Sequence, residues 1–100
     1  MAQSKEIPIN MPPELQPGAY ANNMMVTHNK EEFMIDFIFM DPQMGSVVSR
    51  VVTSPGHMKR IISALQDNLR KYEISFGEIK EAPAPGGGKI IGFRSPDKES

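Results

Sequence analysis

The chain has 100 residues, a formal net charge of −1 and no cysteine. This length suits one small domain, and the composition excludes disulfides and thiolate metal sites. The near-neutral charge gives no electrostatic case for an obligatory nucleic-acid or anionic-membrane partner. The longest apolar run, residues 37–40, is far shorter than the ~20 residues that span a bilayer. We therefore expect a cytoplasmic protein with no membrane partner.

The chain divides into three parts by composition. Four prolines in residues 1–19 block both helix and central strand, so an extended Pro-rich arm is predicted there. Residues 20–79 are predicted to form the folded domain. Residues 80–100 have a linker composition and are predicted to be a flexible tail. Within this tail, the short apolar patch 89–94 would either add an edge strand or serve as a peptide ligand for a partner.

The folded domain begins with three segments rich in β-branched and aromatic residues. They are predicted as antiparallel strands at residues 20–28, 31–40 and 46–53. Asn29-Lys30 is predicted as a two-residue hairpin turn, although glycine is the more usual second residue. Residues 41–45 have a loop composition. With these connections, Asn23 and Arg50 both lie opposite Asp36.

Alternation along these strands assigns each side chain to one face of the sheet. One face is strongly apolar and is predicted to be the core; it carries Tyr20, Met24, Val26, Phe33, Ile35, Phe37, Phe39, Val47 and Val51. The other face carries a polar row, Asn23, Asp36 and Arg50, flanked by Met25, Met34, Ile38, Val48 and Val52.

The strands are followed by one long predicted amphipathic helix. Ser54 is a candidate N-cap, Pro55 occupies the favoured first helical position, and Gly77 is placed to end the helix in a left-handed cap. The apolar side chains form one stripe about 100° wide. The stripe comprises Met58, Ile61, Ile62, Leu65, Leu69, Tyr72 and Phe76. The prediction is an α+β fold of order β-β-β-α, with the helix packed on the core face.

A single helix leaves the second face of this sheet bare. Exposed apolar patches of several hundred Å² are rare on monomers, and a folded part of roughly 60 residues buries only about 60% of its surface. We therefore predict self-association, first as a two-fold dimer, although a protein client is also possible because methionines suit adaptable surfaces. The predicted interface residues are Met25, Met34, Asp36, Ile38, Val48, Arg50 and Val52.

The sequence contains no recognisable catalytic, cofactor or metal motif. Asp36 and Arg50 fit a sheet-stabilising ion pair better than an active-site acid with an anion-binding arginine. Neither His28 nor His57 has a partner at metal-ligand spacing. No enzymatic activity and no cofactor are expected. Single-stranded nucleic-acid binding is the alternative function, and a chaperone or adaptor role is third. The alternative would use a basic helix edge formed by Lys59, Arg60, Arg70 and Lys71.

Several short motifs occur together at specific spacings. They are Tyr20-Ala21-Asn22, Glu32-Phe33 with Asp36-Phe37, Pro42, Ser49-Arg50-Val51, Ser54-Pro55 with Lys59, Ala64-Leu65, and Tyr72-Glu73 with Phe76-Gly77. This combination resembles the small prokaryotic family called domain of unknown function 3467, with Met58 where a small residue would be expected. The resemblance supports the boundaries and fold and implies no activity. The element order is also loosely similar to the export-chaperone SecB core and to known single-strand binders, by topology alone.

Overall fold

The computed structural model describes residues 6–83, so the apolar patch predicted at 89–94 lies outside the described residues. The strands follow one another in a meander, β1-β2-β3, and both pairings are antiparallel. The predicted α+β fold of order β-β-β-α is confirmed. The elements are a short 3-10 turn Pro13–Leu15, then β1 Asn23–His28, β2 Phe33–Met40, β3 Gly45–Thr53 and α1 Pro55–Phe76.

The first hairpin has a longer loop than predicted. His28 pairs with Phe33, so the loop holds four residues instead of two. The Asn29 side-chain oxygen accepts from the backbone N–H groups of Glu31 and Glu32, at 2.8 and 2.9 Å. A two-residue type I′ turn needs positive φ at both central positions, and no described residue other than glycine has one. The longer loop shifts the register by two residues, so each side chain keeps its predicted face.

The register shift breaks up the predicted polar row. Met25 lies opposite Asp36, whereas Asn23 lies opposite Ile38. Arg50 does lie opposite Asp36, as predicted. The polar row is therefore reduced to Asp36 on β2 and Arg50 on β3, and Met25 occupies the corresponding position on β1.

The second hairpin contains a β-bulge that the sequence did not indicate. Phe37 pairs with Ser49 but Ile38 pairs with Val47, so Val48 is the additional residue on β3. The loop again holds four residues, because the Asp41 carboxylate accepts from two backbone N–H groups across it, both at 2.9 Å. The predicted register is correct from Phe33 to Phe37 and wrong by one beyond it. As a result, Val47 lies on the Asp36 face and not on the predicted core face.

Local sequence signals determine both ends of α1. The Ser54 hydroxyl accepts from the backbone N–H of His57 at 3.2 Å, and Pro55 is the first helical residue. At the other end, Gly77 has a φ of 101° and donates its N–H to the Glu73 carbonyl. The predicted N-cap and the positive φ of Gly77 are confirmed, although its ψ of 166° is not that of a left-handed helix.

The helix contributes only its first turn to the core. Within the described residues, the buried apolar side chains are Ile35 and Ile38 of β2 and Met58 of α1. The predicted packing of the helix along one face of the sheet is therefore seen only near Met58. Ser54 alone separates β3 from α1, which leaves little chain to turn the helix back across the sheet. The helix, about 33 Å long, extends away with most of its stripe uncovered.

Candidate self-association surface

The predicted interface residues of the sheet differ widely in exposure. Asp36 and Ile38 are already buried in the single chain, at 1% and 4% exposure, so they can contribute little new buried area. Met25 and Met34 are partly buried. Val48 and Val52 on β3 are exposed by 38% and 48%. The available apolar surface of this face is therefore concentrated on β3.

Strand β3 is an edge strand, and its apolar side chains are uncovered on both sides. Val47, which the bulge moves onto the Asp36 face, is exposed by 48% and lies opposite Ile38. Together with Val52 it extends the apolar part of the face along β3. Alternation alone could not identify Val47, because the inserted bulge residue has no separate signal in a run of β-branched residues.

Asp36 and Arg50 form the ion pair predicted from the sequence. The Arg50 Nε donates to one Asp36 carboxylate oxygen at 2.6 Å, and Nη2 donates to the other at 3.1 Å. These hydrogen bonds and the carboxylate charge raise the pKa of Arg50 above its ordinary value. The Asp36 side chain is buried, whereas that of Arg50 is 50% exposed. The bidentate geometry occupies both carboxylate oxygens, which suits a structural role across the strands.

A row of exposed apolar side chains also lies along α1. Tyr72 and Phe76 contact each other with ring centroids 4.9 Å apart, yet both remain exposed. The uncovered stripe residues are Ile62 at 48%, Leu65 at 65%, Leu69 at 49%, Tyr72 at 50% and Phe76 at 75%. A stripe of this length is ordinarily buried against another element, and most of it is uncovered in the single chain.

Two of the four cations of the basic edge proposed for nucleic acid pair with one carboxylate of the same helix. The Asp67 carboxylate pairs with Arg70 at 2.5 Å and with Lys71 at 3.2 Å. Lys59 and Arg60 are exposed near the start of the helix, about three turns from the other two cations. The four predicted residues therefore do not form one continuous cationic surface.

The described residues offer no arrangement suited to metal binding or membrane insertion. No cluster of three or more histidine or carboxylate side chains occurs in residues 6–83. The His28 ring lies beside the Phe33 ring with a centroid distance of 5.2 Å, and His57 lies in the first turn of α1. Over the same residues, no helix is both long and apolar enough to cross a bilayer.

Sequence reasoning missed the residue that joins the arm to the sheet. Asn22 donates its side-chain N–H to the Met40 carbonyl at 3.0 Å and accepts from the Met40 N–H at 2.9 Å. Its backbone N–H also donates to the Ile38 carbonyl. Just before it, Tyr20 meets Phe39 edge-on at 6.0 Å. The Tyr-Ala-Asn motif in the sequence therefore holds the far end of β2.

These features define an α+β module of three strands and one projecting helix, with apolar surface left on both. The chain matches the family described as Protein of unknown function (DUF3467) over residues 1–81 and belongs to that family. The match includes the arm before β1 as well as the folded elements. No curated protein and no solved structure matches the chain.

Proposed function

We propose that this protein is a non-enzymatic, self-associating binding or assembly module. The proposal rests on the small number of buried apolar side chains compared with exposed ones. In residues 6–83, three apolar side chains are buried, whereas five stripe residues on α1 are roughly half or more exposed. Contiguous exposed apolar surface typically marks an interaction site, and a second copy is the simplest partner since most soluble oligomers are symmetric homo-oligomers.

The sheet supplies part of the proposed surface. Val52 and Val47 on β3 lie on the Asp36 face and are each 48% exposed. The ion pair beside them satisfies the Asp36 carboxylate within the chain. A buried, paired charge penalises partners that would place an apolar group or a second carboxylate against it. We propose that Arg50, through its exposed half, helps to orient the second copy.

Neighbouring valines of similar exposure allow a matched test of this face. Val52 lies opposite Met34 on the Asp36 face, and Val51 lies opposite Ile35 on the other face, with exposures of 48% and 41%. We expect Val52→Ser to weaken self-association measured by light scattering and Val51→Ser to leave it nearly unchanged. Equal effects of the two substitutions would show that the Asp36 face is not selectively used.

The proposal includes no catalytic residue and no cofactor, and a cysteine-free composition suits a reducing cytoplasm. Pairing of Asp67 with Arg70 and Lys71 weakens the case for single-stranded nucleic acid. Fluorescence anisotropy with a labelled single-stranded oligonucleotide at low and high salt tests that alternative directly. Genuine phosphate contacts weaken as salt rises, so salt-sensitive binding at micromolar protein would favour a nucleic-acid binder over the assembly module.

A further inference from the structure

Six of the seven apolar stripe residues of α1 follow a heptad pattern, and the seventh, Ile61, lies beside them. Successive residues are separated by four, three, four, three and four positions, in the order Met58, Ile62, Leu65, Leu69, Tyr72, Phe76. This alternation of three and four is the spacing that a coiled-coil seam requires, with Ile62 and Leu69 at a positions and Leu65 and Tyr72 at d positions. Met58 is buried in its own chain, so the free part of the seam runs from Ile62 to Phe76.

The seam is self-complementary when two copies run in opposite directions. In an antiparallel pair, a residues of one helix meet d residues of the other. One register achieves this throughout: Ile62 meets the partner's Tyr72, and Leu65 meets the partner's Leu69. In the same register, Phe76 reaches the first turn of the partner helix, beside the partner's Met58. Every layer of this register therefore pairs two apolar side chains.

The charges that flank the seam favour the same direction. The e positions are Lys59, Gln66 and Glu73. In the antiparallel register, Lys59 lies across from the partner's Glu73 and Gln66 faces the partner's Gln66. A parallel pair would instead match g with e positions, Ile61 with the partner's Gln66 and Asn68 with the partner's Glu73, which brings no opposite charges together. Charges at e and g positions set partner choice and orientation in coiled coils.

Lys59 and Glu73, which would form these ion pairs, lie beside the seam at opposite ends of α1. Lys59 is exposed in the first turns of α1. Glu73 is held at the other end of the helix, where one carboxylate oxygen accepts from the Ile79 N–H at 2.9 Å. This bond fixes the carboxylate beside the seam without neutralising its charge. The two-fold symmetry of a dimer would form the Lys59–Glu73 pair twice.

We propose that a second copy of this chain covers the α1 seam, as an antiparallel helix pair in the register that places Lys59 beside the partner's Glu73. The inference rests on the proposed self-association and specifies its geometry. It is independent of whether the Asp36 face of the sheet also takes part.

Disulfide cross-linking can test the direction, because the chain has no native cysteine. Ile62→Cys and Tyr72→Cys are made as separate full-length variants and oxidised alone and as a mixture. The antiparallel register puts position 62 beside the partner's position 72 but separates two copies of position 62 by about 15 Å along the axis. We expect a disulfide dimer from the mixture and little from either variant alone. Ile74→Cys, on the opposite side of the helix, is the off-seam control.

A charge-exchange cycle tests the register. Lys59→Glu and Glu73→Lys should each weaken association about three- to tenfold in sedimentation, and the double variant should restore it. Each change also places a favourable charge near its helix terminus, so helix loss would not explain weaker association. If position 62 cross-links to position 62, or if the double variant does not regain association, the antiparallel helix pair is overturned. Self-association itself would remain. A native chain that stays monomeric overturns both.

Discussion

Leu65→Ser and Ile74→Ser form a pair of substitutions that separates the seam from the rest of the helix. Leu65 lies in the middle of the seam and is 65% exposed in the single chain, whereas Ile74 lies on the opposite side and is 78% exposed. Both changes replace an exposed aliphatic side chain with the same small polar one. Their effects on the folded single chain should therefore be similar and small.

The expected effect of Leu65→Ser on dimerisation follows from its exposure. Full burial of a leucine side chain is worth about 1.5–3 kcal/mol. Since Leu65 is 65% exposed, about two thirds of that, ~1–2 kcal/mol, remains to be gained in each copy. A symmetric dimer contains the residue twice, so the substitution should cost ~2–4 kcal/mol, or roughly 30- to 700-fold in the dissociation constant.

Analytical ultracentrifugation of the native chain and both variants measures this difference. We expect Leu65→Ser to shift the monomer–dimer equilibrium strongly toward monomer and Ile74→Ser to change it by less than about threefold, since surface changes are usually within ±0.5 kcal/mol. Circular dichroism of each variant controls for loss of the helix. If the two variants dimerise equally well, the seam is not the surface that a second copy covers and the reasoning from exposure is refuted.

Three further predictions concern the single chain, each measured by urea unfolding at one fixed protein concentration. Gly77→Ala should destabilise the protein by about 1 kcal/mol because Gly77 has a φ of 101°. Gly56→Ala, in open space within the helix, should stabilise it by ~0.5–1 kcal/mol. If both substitutions changed stability in the same direction, the different backbone roles of the two glycines would be contradicted. Ser54→Ala should cost ~1 kcal/mol through loss of the N-cap, while Ser63→Ala on the exposed helix surface should be neutral or stabilising by a few tenths of a kcal/mol. Asp36→Asn should lower the urea midpoint because a buried carboxylate loses its charge-assisted bonds to the arginine, and an unchanged midpoint would show that the pair has no structural role.

Strong local chemistry made part of the fold predictable from the sequence. The start of α1 is encoded by Ser54 and Pro55, and its end by Gly77. The pairing of Asp36 with Arg50 was also predicted, because both lie on the same face and one register brings them together. The helix ends depend on a few neighbouring residues. The ion pair depends on a single strand pair, whose faces alternation assigns.

Other features depended on backbone and tertiary details that residue types do not specify. Both hairpin loops are extended by an Asn29 or Asp41 side chain that bonds across the loop, and a composition rule does not fix the resulting length. The bulge at Val48 is hidden in a run of valines. The helix was predicted to cover the sheet because its stripe is apolar, but the same stripe is equally suited to another helix, and only the single-residue connection at Ser54 distinguishes the two arrangements.

Self-association of the chain is the central proposal. Sedimentation equilibrium of the unmodified full-length chain over a range of concentrations is its most direct test. We expect a mass that rises with concentration from the 11.1 kDa of the single chain to twice that value. A mass that stays at 11.1 kDa through the micromolar range would contradict it.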